Sequence, residues 1–213
     1  MTERFSSAAL GFVCIVGAGS GRLDLMTLRA LNRLRNADLV VHDRLVGTEV
    51  LDQIPPQAQR VYVGKALGDH EVPQQNIHDL LVAHARLGSR VVRLKAGDTY
   101  VLGRGGEEVQ ALRAKGIAFE VVPGLTAASG CSAAAGIPLT HRNLAGGCVF
   151  LPGHFAQDDA TYDWRTLARP GQTRVFYLGV QRRRKLQSGC SARGWHPAHR
   201  PLSCATAHAL HKW

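Results

Sequence analysis

The chain has 213 residues, 45% hydrophobic and 20% charged, enough apolar material for one large or two small core-forming domains. No apolar run reaches the roughly 18 residues of a membrane span, and Glu3 sits where a secretory leader carries positive charge. A cytoplasmic protein with no membrane partner is therefore expected. The formal net charge of +10 suggests nucleic acid at first sight, but residues 181–213 hold seven Lys and Arg and no Asp or Glu, so the body is only mildly basic and no nucleic-acid partner is expected.

In chain order, Phe12–Val16 is a short apolar run ending in glycines, as a buried parallel strand would be. Leu25, Leu28, Leu31 and Leu34 recur every three residues and predict a helix facing the sheet. Asp38–His42 and Arg60–Val63 read as the second and third strands. Pro73 suits the first turn of a helix running to about Leu87, with Gly88 as its stop. Arg90–Leu94 is a fourth strand, a helix spans about Gly106 to Lys115, and Ala118–Val122 is a fifth strand. Strands alternating with helices predict a parallel α/β sheet. Pro123-Gly124 breaks the pattern and marks a domain boundary. Beyond it come a small-residue helix over Thr126–Ala135, a strand over Gly147–Leu151, helix at Trp164–Ala168 and a strand over Thr173–Leu178. The expected domains are thus 1–122, a partial second α/β domain over 123–180, and an atypical basic tail over 181–213.

The five cysteines at 14, 131, 148, 190 and 204 show no C-x-x-C and are expected to be reduced thiols. The ten histidines show no H-E-x-x-H or other ligand spacing, so no metal is assigned.

Several motifs carry chemistry. Val16-Gly-Ala-Gly-Ser-Gly21 follows a strand, but Arg22 stands where G-x-G-x-x-G needs glycine, so a dinucleotide turn fails and a plain structural turn is as good a reading. Asp43-Arg44 lies just past the second strand, where open α/β sheets place ligands, and Lys65 follows the third. Either could also be an ordinary surface charge. Between Leu94 and Glu108, Gly97, Gly103, Gly105 and Gly106 crowd around Asp98 and Arg104. So many glycines suggest a ligand approached by backbone groups. Glu107 and Glu108 are read as helix starters that favour the positive end of its dipole. Thr126-Ala127 begin a helix after a Pro-Gly turn, with a capping threonine as the plain alternative. His141-Arg142 are loop residues.

The order and spacing of these blocks resemble the tetrapyrrole methylase family, and within it the uroporphyrinogen-III C-methyltransferases. The likeness runs from about Val13 to about Val180. It implies two α/β domains with S-adenosylmethionine between them, a homodimer, and transfer of two methyl groups to carbons 2 and 7 of uroporphyrinogen III, giving precorrin-2 for sirohaem, cobalamin or haem d1. By motif match it implies an acid/base pair at Asp43 and Lys65. It puts cofactor contacts at Ser20, Ala96, Gly97, Asp98, Val101, Thr126, Ala127 and Leu178, the last in the slot of a family methionine. Arg44, Arg104, His141 and Arg142 are candidates for the substrate's carboxylates.

The sequence departs from the family pattern at Ser20 and Arg22-Leu23, where Pro and Asp-Pro are usual, and at Ala96 and Thr99, where Gly and Pro are usual. A left-handed backbone at 96 would cost Ala about 1 kcal/mol. The tail over 181–213 shows no apolar period and is read as out-of-frame or truncated coding, which leaves the second domain incomplete. Two alternatives stay open: a non-catalytic remnant that at most binds ligand, and a methylase of another tetrapyrrole.

Overall fold

The computed structural model describes residues 11–64, 73–153, 167 and 169–179. Contacts divide the chain into two units, 1–127 and 128–213. The first holds five parallel strands, β1 (Phe12–Gly17), β2 (Leu39–His42), β3 (Gln59–Tyr62), β4 (Arg90–Lys95) and β5 (Phe119–Val122). Their order across the sheet is β3-β2-β4-β1-β5.

Helices α1 (Leu28–Arg35) and α2 (Thr48–Leu51) cover one face; α3 (Gln74–Arg86) and α4 (Gly105–Ala114) cover the other. The central strands are largely apolar on both sides because helices cover both faces, with Arg93 and Lys95 of β4 as buried exceptions. Val16, Val40, Val92 and Leu94 pack with Ala30, Leu34 and Val50 on the first face. Ile15, Val41 and Val91 pack with Ile77, Leu81, Val109 and Leu112 on the second. Each fully buried Leu, Ile or Val contributes about 1.5–3 kcal/mol. Strand β3 is an edge, and its polar, largely exposed Gln59 and Arg60 deter pairing with another chain.

The first helix corrects the sequence expectation. Leu25 lies in a short 3-10 turn, Leu23–Leu25, and α1 begins only at Leu28, with Thr27 Oγ1 accepting from the Ala30 N–H at 3.2 Å. Leu28 is 85% exposed, whereas Ala30 and Leu34 are fully buried. A three-residue spacing drifts by about 60° per step on a 3.6-residue helix. Leucines at 28 and 34 therefore cannot share one face, and the core takes the four-residue pair Ala30 and Leu34. Helix α2 was not anticipated either; it is a single turn between polar ends that buries Val50 alone.

The other elements of the first unit fall close to expectation. Pro73 precedes α3, and Gly88 and Gly116 take positive φ after α3 and α4, as stops do.

The second unit contains most of α5 (Ala127–Ala134) and a parallel pair, β6 (Gly147–Pro152) and β7 (Gln172–Tyr177). Tyr177 Oη accepts from the Ala128 N–H at 3.3 Å, and Phe150 meets the Tyr177 ring edge-on. Of the helix expected over 164–168, Leu167 is helical and the rest lies outside the described residues. Cys14 and Cys148 are free thiols, but Cys131 is disulfide-bonded, against the expectation of five reduced thiols. Sequence spacing alone does not reveal such a bond.

Candidate functional site

Strands β1 and β4 are neighbours, yet the chain leaves their C-terminal ends in opposite directions, toward β2 and toward β5. Such a reversal opens a crevice at the strand ends. The loops that emerge there hold each other. Gly19 and Gly97 exchange both backbone hydrogen bonds, at 3.1 and 2.8 Å. Gly17 and Gly124 lie in such close backbone contact that a Cβ on either would collide with the other. Gly97 has φ +70°, which an L side chain rarely adopts.

Asp98 organises this junction. Its Oδ1 accepts from the backbone N–H of Tyr100 and Val101 at 2.8 and 3.2 Å, and Oδ2 accepts from Gly124 N–H at 3.2 Å. Ser20, Ala96, Gly97, Asp98, Val101, Thr126 and Ala127 thus come from loops that meet at one end of the sheet, and the Ala127 N–H lies near Gly97. Ala96 is not in the left-handed region, so the cost that a left-handed backbone would carry there does not arise. Gly103 and Gly105 correct another expectation. Their missing side chains make room for the Thr99 carbonyl, not for a ligand, and Gly106 faces open space. Ser20 Oγ and Thr99 Oγ1 are buried and have no hydrogen-bond partner among the described residues.

Asp43 is the first residue beyond β2, its N–H directed at the Leu94 carbonyl of neighbouring β4. Beneath it lies a buried array that the sequence reading missed. Arg93 Nη2 donates to Asp43 Oδ1 at 2.6 Å, and Arg93 Nε donates to Glu108 Oε1 at 2.9 Å. Lys95 Nζ lies 3.1 Å from Glu108 Oε1 and 3.9 Å from Asp43 Oδ2. Gln74 Nε2 also donates to Glu108 Oε1, at 3.2 Å. The side chains of Arg93, Lys95 and Glu108 are 3%, 6% and 0% exposed, while that of Asp43 is 32% exposed. Asp43 is therefore the member that reaches the surface.

The electrostatics follow from this packing. Burial works against the Arg93 cation, but Glu108 and Asp43 together more than offset it, so the guanidinium titrates above its usual range. Lys95 is pulled below its usual range, first by burial and then by the Arg93 charge. Glu107 and Glu108 were read alike as helix starters, and the structure separates them. Glu107 is exposed and paired with Arg104 at 2.7 Å, whereas Glu108 is the buried counter-ion of two cations. The signal was present: Arg93 and Lys95 have the parity of Val91, which faces α3 and α4, so both cations on a central strand need a buried anion.

The remaining candidates are placed as follows. Arg44 is exposed in the turn after Asp43. Arg104 has φ 57° at the start of α4. Lys65 lies outside the described residues. His141, Arg142 and Leu178 belong to the second unit. There His141 closes a turn with Ala145, Arg142 is exposed, and Leu178 is 77% exposed with φ 57°.

A five-stranded parallel sheet with glycine loops interlocked at its switch point, and the Asp43 carboxylate just past the end of β2, defines an α/β protein whose strand ends are where such sheets place ligands. The chain belongs to the tetrapyrrole (corrin/porphyrin) methylases, which it matches over residues 13–206. That match passes well beyond Val180, where the sequence motifs had been taken to end. The chain is 50% identical over 183 residues to the sirohaem synthase of Ectopseudomonas mendocina, covering 84% of this chain and 40% of that protein. It is also 50% identical over 195 residues to the sirohaem synthase of Edwardsiella ictaluri, covering 91% and 42%. The chain thus spans about two fifths of the length of the curated relatives it matches. Among solved structures it resembles the native uroporphyrin III C-methyltransferase of Thermus thermophilus, with TM-score 0.74, 39% identity and coverage of 94% of this chain and 90% of that one. The Thermus enzyme complexed with S-adenyl homocysteine gives TM-score 0.73 and 42% identity, covering 88% and 78%.

Proposed function

We propose that this chain is an S-adenosylmethionine-dependent C-methyltransferase acting on uroporphyrinogen III, with methylation at carbons 2 and 7 giving precorrin-2. The observation that carries the reading is the Asp43 carboxylate, fixed by Arg93 at the C-terminal end of β2 in a chain of the tetrapyrrole methylase family. The Thermus relative complexed with S-adenyl homocysteine supports the choice of cofactor.

The residues present suit such a ligand. Ser20 Oγ is a buried hydroxyl still lacking a partner among the described residues, and it lies next to Gly19 of the interlocked glycine loops. Ser20, Ala96, Gly97, Asp98, Val101, Thr126, Ala127 and Leu178 would hold the cofactor. When bound, it supplies an electrophilic methyl group. Asp98 already receives three backbone N–H groups, so it would also shape the loop that holds the cofactor.

Methylation of a ring carbon leaves the substrate positively charged until a proton departs. The methylated carbon is fully substituted and carries no hydrogen, so the proton leaves an adjacent bridging CH2 and its C–H electron pair forms the double bond that neutralises the ring. Asp43 Oδ1 is engaged by Arg93, so Oδ2 takes that proton. Lys65 is the partner acid/base that the resemblance supplies. Arg44, Arg104, His141 and Arg142 would pair with substrate carboxylates. Homodimer formation, a cytoplasmic location and the division into domains at 122 and 180 belong to the same reading.

The test is turnover of uroporphyrinogen III with S-adenosylmethionine by the chain and by Asp43→Asn, beside calorimetry with S-adenosylhomocysteine and NAD. The substitution is expected to lower turnover by about 100-fold or more and leave S-adenosylhomocysteine affinity within about threefold. Unchanged turnover, or binding of NAD without binding of S-adenosylhomocysteine, refutes the reading.

A further inference from the structure

We propose that Arg93, clamped by Glu108, is the positioning residue for the Asp43 carboxylate, and that both act on turnover only through Asp43. This rests on the reading of Asp43 as the proton acceptor.

The geometry is specific. Arg93 projects from β4, which is flanked by β1 and β2 and cannot shift independently. Its guanidinium donates to four separate acceptors: Glu108 Oε1 at 2.9 Å, Asp43 Oδ1 at 2.6 Å, and the carbonyls of Val41 and Leu94, each at 3.3 Å. The fork is therefore held by β2, β4 and α4 together. Asp43, by contrast, begins a turn, where a carboxylate would otherwise sample several rotamers. Fastening Oδ1 to a fixed guanidinium leaves Oδ2 in one place. Lys95 Nζ, 3.9 Å from Oδ2, adds charge there without a hydrogen bond.

Cost supports the same assignment. Buried ion arrays are rarely better for stability than apolar side chains of similar volume. Here three nearly inaccessible charged groups sit beneath one accessible carboxylate. Gln74 steadies the far end by donating to Glu108 and itself contacts His78 at 3.3 Å. Lysine at 93 would preserve the charge but not the fork, because an ammonium cannot meet four acceptors in one plane.

The experiment is a double-mutant cycle in the full chain, with Arg93→Lys and Asp43→Asn alone and combined. The readouts are kcat, KM, S-adenosylhomocysteine affinity by calorimetry, and melting temperature. Arg93→Lys should lower kcat by about 10- to 100-fold, with KM and S-adenosylhomocysteine affinity each changed by less than about threefold. In the Asp43→Asn background the same change should cost less than about twofold, since nothing remains to be positioned. A second cycle with Glu108→Gln keeps the shape of the array and covers the case in which Arg93→Lys does not fold. Multiplying losses in the two cycles, or full turnover by both Arg93→Lys and Glu108→Gln while Asp43→Asn is slow, overturns the positioning role alone. Full turnover by Asp43→Asn, or none by the unsubstituted chain, overturns the functional reading beneath it.

Discussion

Glu107 and Glu108 are neighbours of the same charge in the first turn of one helix, yet replacing each by Gln should have very different consequences for stability. At position 107 the loss is an exposed pair with Arg104, both side chains about half exposed, and a favourable dipole contact. An exposed pair contributes about 0–1 kcal/mol and a dipole contact about 0.3–1 kcal/mol. Glu107→Gln should therefore cost about 1 kcal/mol or less. At position 108 the same substitution removes the negative charge from between Arg93 and Lys95, which are 3% and 6% exposed. Breaking a buried pair costs about 3–5 kcal/mol. The Gln carbonyl can still accept one hydrogen bond, and Lys95, already pulled below its usual range, can shed its proton. Both effects reduce the loss, to about 2–4 kcal/mol. Urea unfolding at neutral pH, followed by circular dichroism, measures both variants against the parent. Equal losses below about 1 kcal/mol would show that Glu108 is not the counter-ion of a buried array.

Leu34→Ala should destabilise the chain by about 2–5 kcal/mol, and Leu28→Ala by no more than about 0.5 kcal/mol; comparable values in urea titrations would refute the register of α1. Asp38 is held down to about 2, first by side-chain hydrogen bonding from Arg90 and then by the Arg90 backbone N–H. That contribution is present above the ordinary value of 3.8 and is lost as pH falls through about 2, so the melting-temperature gap between parent and Asp38→Asn should close over that window. A gap that stays constant down to pH 2 would refute the pairing. Burial, and then Glu120, push the Cys14 thiol up to about 12, so it should resist alkylation at about pH 8 in the native chain and react on unfolding. Prompt native modification, mapped by mass spectrometry, would show that β1 is open to solvent.

Much of the first unit was legible in the sequence because its signals are local. Apolar runs flanked by glycines give β1 and β4, Pro73 and Gly88 bracket α3, and Gly116 ends α4. The alternation of strand and helix implied a parallel sheet, and the order of the glycine, Asp43 and Pro-Gly motifs carried the family. Leu25 and Leu28 misled because the start of α1, which decides the phase of the stripe, depends on a capping threonine and a preceding turn. Gly103 and Gly105 misled because sequence cannot say whether backbone is approached by a ligand or by Thr99 of the same loop.

Sequence by itself placed Ser20, Asp43, Asp98 and Thr126 at element ends, which motif spacing can find. Only the tertiary structure decided that Arg93, Lys95 and Glu108 belong with Asp43. Their partnership depends on strand order, which places β4 between β1 and β2, and on the face to which α4 is docked. Residues 50 and 15 positions apart then become hydrogen-bonded neighbours. A strand's period of two reveals that Arg93 and Lys95 share a face, but the dielectric of that face, and hence the need for a buried anion, exists only once the helices have covered it.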